Sequence, residues 1–145
     1  VRIAQTFARR GYNVDSLVVS PAHNTNFSRI TVVVQGLPSS YDQILRQLNK
    51  LVDVVHATSH PSADIVDREM ALFKVRAKPD QRAEIFQIVE VFRAKTVDIT
   101  DQSLVIETTG DSLKIDALEK LLEPMGLVEM VRSGKLIMKR GLEET

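Results

Sequence analysis

Three histidines, His23, His56 and His60, are the first side chains that could hold a metal ion or move a proton. His56 and His60 stand four apart, which on a helix would turn both imidazoles toward one ion. Val54 to His60 has a strand pattern instead, and there four residues span about 13 Å, so the two cannot share a ligand. They read as polar strand residues near an edge, and His23 sits among turn formers with no evident partner. The chain has no cysteine, which excludes disulfides, thiolate metal sites and cysteine nucleophiles. Gly11, Gly36, Gly110, Gly126, Gly134 and Gly141 stand singly at element ends. They form neither a phosphate-cradling loop nor a Gly-x-Ser-x-Gly elbow. Carboxylates are spread over helix faces and turns, whereas acid–base chemistry needs them to converge. Arg9-Arg10 and Lys139-Arg140 lack the interleaved aromatics of a nucleic-acid surface and read as solvated ends of elements.

What remains is the junction Arg9-Arg10-Gly11-Tyr12-Asn13-Val14-Asp15-Ser16-Leu17. By residue type alone its reading is local: Gly11 permits a left-handed helix end, Tyr12 packs, and Asn13 makes a turn hydrogen bond.

The elements that position this junction follow from hydrophobic period. Ile3, Ala4, Phe7 and Ala8 form the stripe of a helix already under way at Val1, without a capping residue before it. Its opening strand is therefore expected upstream. Asn13 to Ser20 and Ser28 to Gln35 read as an antiparallel hairpin about the turn formers Pro21 to Asn26. Ser40 with Gln43 fits a capping box for a helix through Tyr41, Ile44, Leu45, Leu48, Leu51 and Val52. Val54 to His60 reads as a strand and Pro61 to Asp67 as a polar connector. Beyond it come a strand from Met70 to Ala77, a helix from Pro79 with Ile85, Ile88, Val89 and Phe92 inward, and strands at Thr96 to Ile99 and Leu104 to Thr108. A helix introduced by Gly110 and Asp111 and closed by Pro124 and Gly126 follows, then strands at Leu127 to Val131 and Lys135 to Met138. The second half spells βαββαβ with an extra strand, and the first half spells the same word without its first letter. Phe7-Ala-Arg-Arg before Val14-Asp15 also echoes Phe92-Arg-Ala-Lys before Val97-Asp98.

The fold class expected is α+β: two tandem ferredoxin-like βαββαβ units, the first lacking its opening strand, with domains at 1–62 and 68–145 joined by a linker at 63–67. Hydrophobic residues make up 43% of the 145, enough for packed interiors, and 19 basic residues balance 19 acidic ones. No bulk field draws the chain to nucleic acid or an anionic membrane. No apolar run approaches the roughly 18 residues of a membrane span, and no signal peptide is visible, so cytoplasm is the expected compartment. A unit of about 70 residues buries only about 60% of its unfolded surface and is marginal alone, so association is expected.

The junction above, with Ser28-Arg-Ile-Thr-Val, Gln47-Leu-Asn-Lys-Leu-Val-Asp-Val-Val, Arg68-Glu-Met-Ala-Leu-Phe-Lys-Val, Phe92-Arg-Ala-Lys-Thr-Val-Asp-Ile and Arg132-Ser-Gly, resembles the regulatory small subunits of acetohydroxyacid (acetolactate) synthase over nearly the whole chain. The resemblance implies an N-terminal ACT domain, a ferredoxin-like C-terminal domain, and a homodimer or larger assembly that binds a catalytic large subunit. It implies activation of that subunit and feedback inhibition by valine or a related branched-chain amino acid. Thiamine diphosphate, flavin and magnesium would belong to the large subunit, with no cofactor, metal or catalytic residue here. The family's effector pocket lies between two ACT domains. By that motif Asn13 carries over as a polar ligand of the amino acid and Val14 as a neighbouring contact, while the glycine loop completing the pocket would precede Val1. A chain starting at Val1 is thus expected to bind valine poorly. The alternative reading is a stand-alone ACT-type sensor serving another metabolic or transcriptional partner.

Overall fold

In the computed structural model, which describes residues 2–23, 26–35, 41–51, 54, 57–60 and 64–145, the first apolar stripe forms helix α1, Arg2–Arg9. Its end is a Schellman motif. Gly11 takes φ 76°, its N–H donates to Ala8 O at 3.1 Å, and the Tyr12 N–H donates to Phe7 O at 3.1 Å. The motif calls for an apolar contact between those last two positions. Phe7 and Tyr12 supply it edge to face, with centroids 6.2 Å apart. Strands β1 (Asn13–Pro21) and β2 (Ser28–Gln35) follow. They pair antiparallel with Asn13 opposite Gln35 and a bulge at Asp15. Helix α2, Tyr41–Lys50, lays Ile44 and Leu48 against Phe7, Tyr12, Val32 and Val34. The cap expected at Ser40 lies outside the described residues.

The strand expected at Val54 to His60 is not formed at Val54 or 57–60; Val55 and His56 lie outside the described residues. In a βαββαβ sheet the last strand pairs with the first, and the described residues contain no first strand to receive it. The Asn49 amide satisfies the backbone instead: it donates to Leu45 O at 2.8 Å and Ala57 O at 3.1 Å and accepts from Ala57 N–H at 2.9 Å.

The second half builds β3 (Ile65–Arg76), a 3-10 turn at Pro79–Gln81, α3 (Arg82–Val91), β4 (Lys95–Ile99), β5 (Ser103–Gly110), α4 (Ser112–Leu122), β6 (Leu127–Arg132) and β7 (Leu136–Lys139). The sheet order is β4-β5-β3-β6 with antiparallel neighbours, the ferredoxin-like arrangement of βαββαβ. Alternation along β3 sends Ala71, Phe73 and Val75 inward against Ile85 and Val89 of α3, Leu104 and Ile106 of β5, and Ile115, Leu118 and Leu122 of α4. Asp111 caps α4, accepting from the Lys114 N–H at 2.9 Å. Gly126 must be glycine: its φ is 107° and a Cβ there would lie 2.7 Å from Arg76 O.

Two boundaries differ from the sequence reading. Strand β3 begins at Ile65, inside the expected connector, and β7 pairs with β3, with the Arg140 N–H donating to Asp64 O at 2.8 Å. The compact units are therefore Val1–Val66 with Lys135–Thr145, and Asp67–Gly134. Lengthening β3 lets one strand serve both β6 and β7, which hydrophobic alternation alone did not reveal.

The internal echo is real in backbone but set differently. Arg93 is left-handed at φ 52°, its N–H donates to Glu90 O at 3.1 Å, and the Ala94 N–H donates to Val89 O at 2.9 Å. Beyond it, β4 carries a bulge between Thr96 and Asp98. Gly11 thus corresponds to Arg93 and Asp15 to Val97, so the motif Phe7-Ala-Arg-Arg does not align with Phe92-Arg-Ala-Lys. A left-handed non-glycine residue costs about 1–2 kcal/mol, against which glycine's added chain entropy is about 0.5–1 kcal/mol. Arg93→Gly is expected to raise stability by about 0.5–1 kcal/mol, seen as a higher urea midpoint at unchanged slope; a lower midpoint would mean the Arg93 side chain has a stabilising contact.

Candidate functional site

The site begins where α1 stops. Tyr12, buried against Phe7 and in tilted ring contact with Tyr41 at 5.6 Å between centroids, anchors the chain one residue before Asn13, so the Schellman turn sets Asn13's position at the first residue of β1. Strand alternation then sends Asn13 and Val14 to opposite faces of the ribbon. Val14 lies opposite Val34 on the helix-covered side, yet it is 37% exposed. Asn13 lies opposite Gln35 and is exposed. Among the described residues its side-chain amide makes no hydrogen bond, so the turn bond of the local reading is not formed there. Among the described residues a donor and an acceptor thus stand without a partner at the hairpin end, close to the bulge, while the partly exposed Val14 points to the other face. The amide suits the polar end of a small ligand.

The remaining candidates do not converge. His23 is exposed in a bend, His60 lies in coil, and His56 is outside the described residues. Among the described residues no group of three His, Asp or Glu side chains could hold a metal ion.

An ionic cluster at the start of β3, of which only Glu69 is fully buried, is not evident from residue types taken one by one. Glu69 lies on the inward row with Ala71 and Phe73, its side chain 5% exposed, bonded to Arg132 Nη2. Ser112 Oγ donates to the same carboxylate oxygen at 3.2 Å, and Arg132 Nη1 reaches Asp116 Oδ1 at 2.6 Å. The hydrogen bond to Glu69 raises the Arg132 pKa above its ordinary value, desolvation opposing it and Asp116 adding to it. Next door, the Ser133 N–H donates to Met70 O at 2.9 Å while its Oγ accepts from the Met70 N–H at 3.0 Å. Gly134 then turns the chain at φ 88°. Arg132-Ser-Gly is thus a latch closing β6 onto β3. The signal for it was a glutamate in an apolar register, one residue before the strand was expected to begin.

Comparison with known proteins places this geometry. A family model described as an AHAS small subunit-like ACT domain matches residues 1–56, and one described as the small subunit of acetolactate synthase matches residues 68–141. Fold and matches together define a regulatory, non-catalytic subunit with an ACT domain followed by a ferredoxin-like domain. The acetolactate synthase small subunit of Mycolicibacterium smegmatis is 42% identical over 140 residues, covering 97% of this chain and 82% of that protein. The probable small subunit of Archaeoglobus fulgidus is 39% identical over 97% of this chain and 87% of its own. The crystal structure of the Thermotoga maritima small subunit superposes with a TM-score of 0.87 at 38% identity, covering 98% of this chain and 89% of that one. This chain belongs to the acetolactate synthase small-subunit family. Among the described residues no helix is long and apolar enough to cross a membrane.

Proposed function

We propose that this chain binds the catalytic large subunit of acetolactate synthase, raises its activity and makes it sensitive to valine or a related branched-chain amino acid, acting as a homodimer or higher assembly in the cytoplasm. The observation that carries the reading is that both halves match small-subunit models in order along one chain. The exposed amide of Asn13, without a hydrogen bond among the described residues, supports the amino acid's place at this hairpin end. A zwitterion needs hydrogen bonds to both charged groups, and its aliphatic part needs an apolar neighbour. Coupling between effector and large subunit is reciprocal, and couplings of this kind amount to about 1–3 kcal/mol. Thiamine diphosphate, flavin and magnesium chemistry is assigned to the large subunit.

The test is to mix the purified chain with the large subunit. Co-elution and an increased rate of acetolactate formation are expected. If the components neither associate nor change the rate, while another metabolic or transcriptional partner captures the chain, the stand-alone sensor replaces this reading.

A further inference from the structure

Helices α1 and α2 lay their apolar stripes inward on the first unit, and the side they turn outward is basic. Arg10 Nη1 donates to Gln43 Oε1 at 3.0 Å, tying the end of α1 to the first turn of α2. Gln43, Arg46 and Lys50 follow at three-and-four spacing and so share a stripe of α2. Those three, with Arg9 and Arg10, are exposed. The two helices contain a single carboxylate, Asp42. Among the described residues no ion pair neutralises Arg9, Arg10, Arg46 or Lys50, whereas Lys74, Arg132 and Lys139 each hold a carboxylate.

We propose that the catalytic large subunit docks on this α1–α2 face through an acidic surface of its own. The inference rests on the reading of the chain as that subunit's regulator and adds where the contact lies. Charge selects among the occupants. A second copy meeting the same face about a two-fold would set cation against cation, because each residue's counterpart comes from the same patch. An anionic membrane holds a surface helix by large apolar side chains as well as by cations, and among the described residues neither helix exposes one. Single-stranded nucleic acid calls for aromatic platforms, which the same helices do not offer. An acidic protein surface needs only the unpaired cations, and complementary potentials steer its approach and fix its register. The face is also joined to the candidate effector residue. Asn13 lies three residues beyond Arg10, and the Gly11 and Tyr12 between them are held by the hydrogen bonds that end α1. Reciprocal coupling between effector and large subunit thus has a short covalent path.

The test titrates the purified large subunit with the full chain, without valine, and reads the concentration giving half-maximal activation. At low salt Arg46→Glu is expected to raise that concentration about tenfold, the lower end of the range over which steering charges act. Arg9→Gln should raise it less, and both should leave the maximal rate unchanged at saturation. Lys120→Glu makes the same change of net charge at an exposed position of α4 in the second unit and is expected to titrate as the parent does. The Arg46→Glu difference should vanish near 1 M salt, where the screening length falls to about 3 Å. Circular dichroism matching the parent chain confirms the variants as folded. If the parent neither binds nor activates, the functional reading fails and takes this inference with it. If the parent activates and both Arg46→Glu and Arg9→Gln titrate as it does, the docking face alone is overturned. An equal loss in Lys120→Glu overturns it too, since net charge would then account for the effect. Capture of a DNA duplex that Arg9→Gln and Arg46→Glu abolish, with activation untouched, would give the face to nucleic acid instead.

Discussion

Arg132→Met is expected to lower the unfolding free energy by about 3 kcal/mol, and adding Glu69→Leu to the same chain is expected to restore most of that loss. Removing one partner of a buried pair strands the other charge, at a cost of about 3–5 kcal/mol. Replacing both with apolar residues is often neutral. The geometry makes the two single substitutions unequal. Without Arg132, the Glu69 carboxylate keeps, among the described residues, only the Ser112 hydroxyl, while its side chain is just 5% exposed. Without Glu69, Arg132 retains Asp116, and its side chain is 26% exposed to water. Glu69→Leu alone should therefore cost less than Arg132→Met alone. Urea unfolding followed by far-ultraviolet circular dichroism reads the loss. The only tyrosines, Tyr12 and Tyr41, both lie in the Val1–Val66 unit, so their fluorescence reports that unit separately. A loss in the double variant equal to the sum of the two single losses would show that the cluster is not a coupled pair. The raised Arg132 pKa has a definite sign for pH dependence. Stabilisation is fully present below the ordinary arginine range and is lost only as pH rises through the higher folded value.

The ordering of elements was legible because burial imposes period. Ala71, Phe73, Val75 and Ala77 alternate so strictly that strand, face and core follow from sequence, and each of these is buried. Helix α4 was equally clear, since Asp111, Pro124 and Gly126 punctuate its ends. Pairing was harder to read. Val54 to His60 has the composition of a strand, but a strand is defined by its neighbour, and Asn49 supplies side-chain hydrogen bonds where a ladder would have been. Strand β3 was cut short because Asp67, Arg68 and Glu69 look like a connector; Glu69 is inward only because Arg132, distant in sequence, neutralises it. The echo between the halves was visible but misaligned, because the left-handed turn is built on Gly11 in one copy and on Arg93 in the other. Residue type marks the first and conceals the second. At the candidate site, type and spacing did not distinguish Asn13 from an ordinary turn asparagine. Resemblance to a family singled it out, and the structure adds that its amide is exposed and has no hydrogen bond among the described residues.

Asn13→Ala is expected to raise the valine concentration needed for half-inhibition of the complex with the large subunit by about tenfold or more, with activation in the absence of valine unchanged. A hydrogen bond to a charged group contributes about 1.5–3 kcal/mol, and each 1.4 kcal/mol is a factor of about ten in affinity. The substitution leaves the fold intact because Asn13 pairs with Gln35 through the backbone, while Tyr12 and the helix end set its position. Asn13→Asp then distinguishes which end of the effector is held. If the amide N–H donates to the effector carboxylate, the new negative charge opposes it and sensitivity falls further than with alanine. If the amide oxygen accepts from the ammonium group, aspartate retains or strengthens the contact and sensitivity is preserved. Unchanged half-inhibition in both variants would place the effector away from Asn13, whereas loss of activation along with sensitivity would make the residue part of the contact with the large subunit.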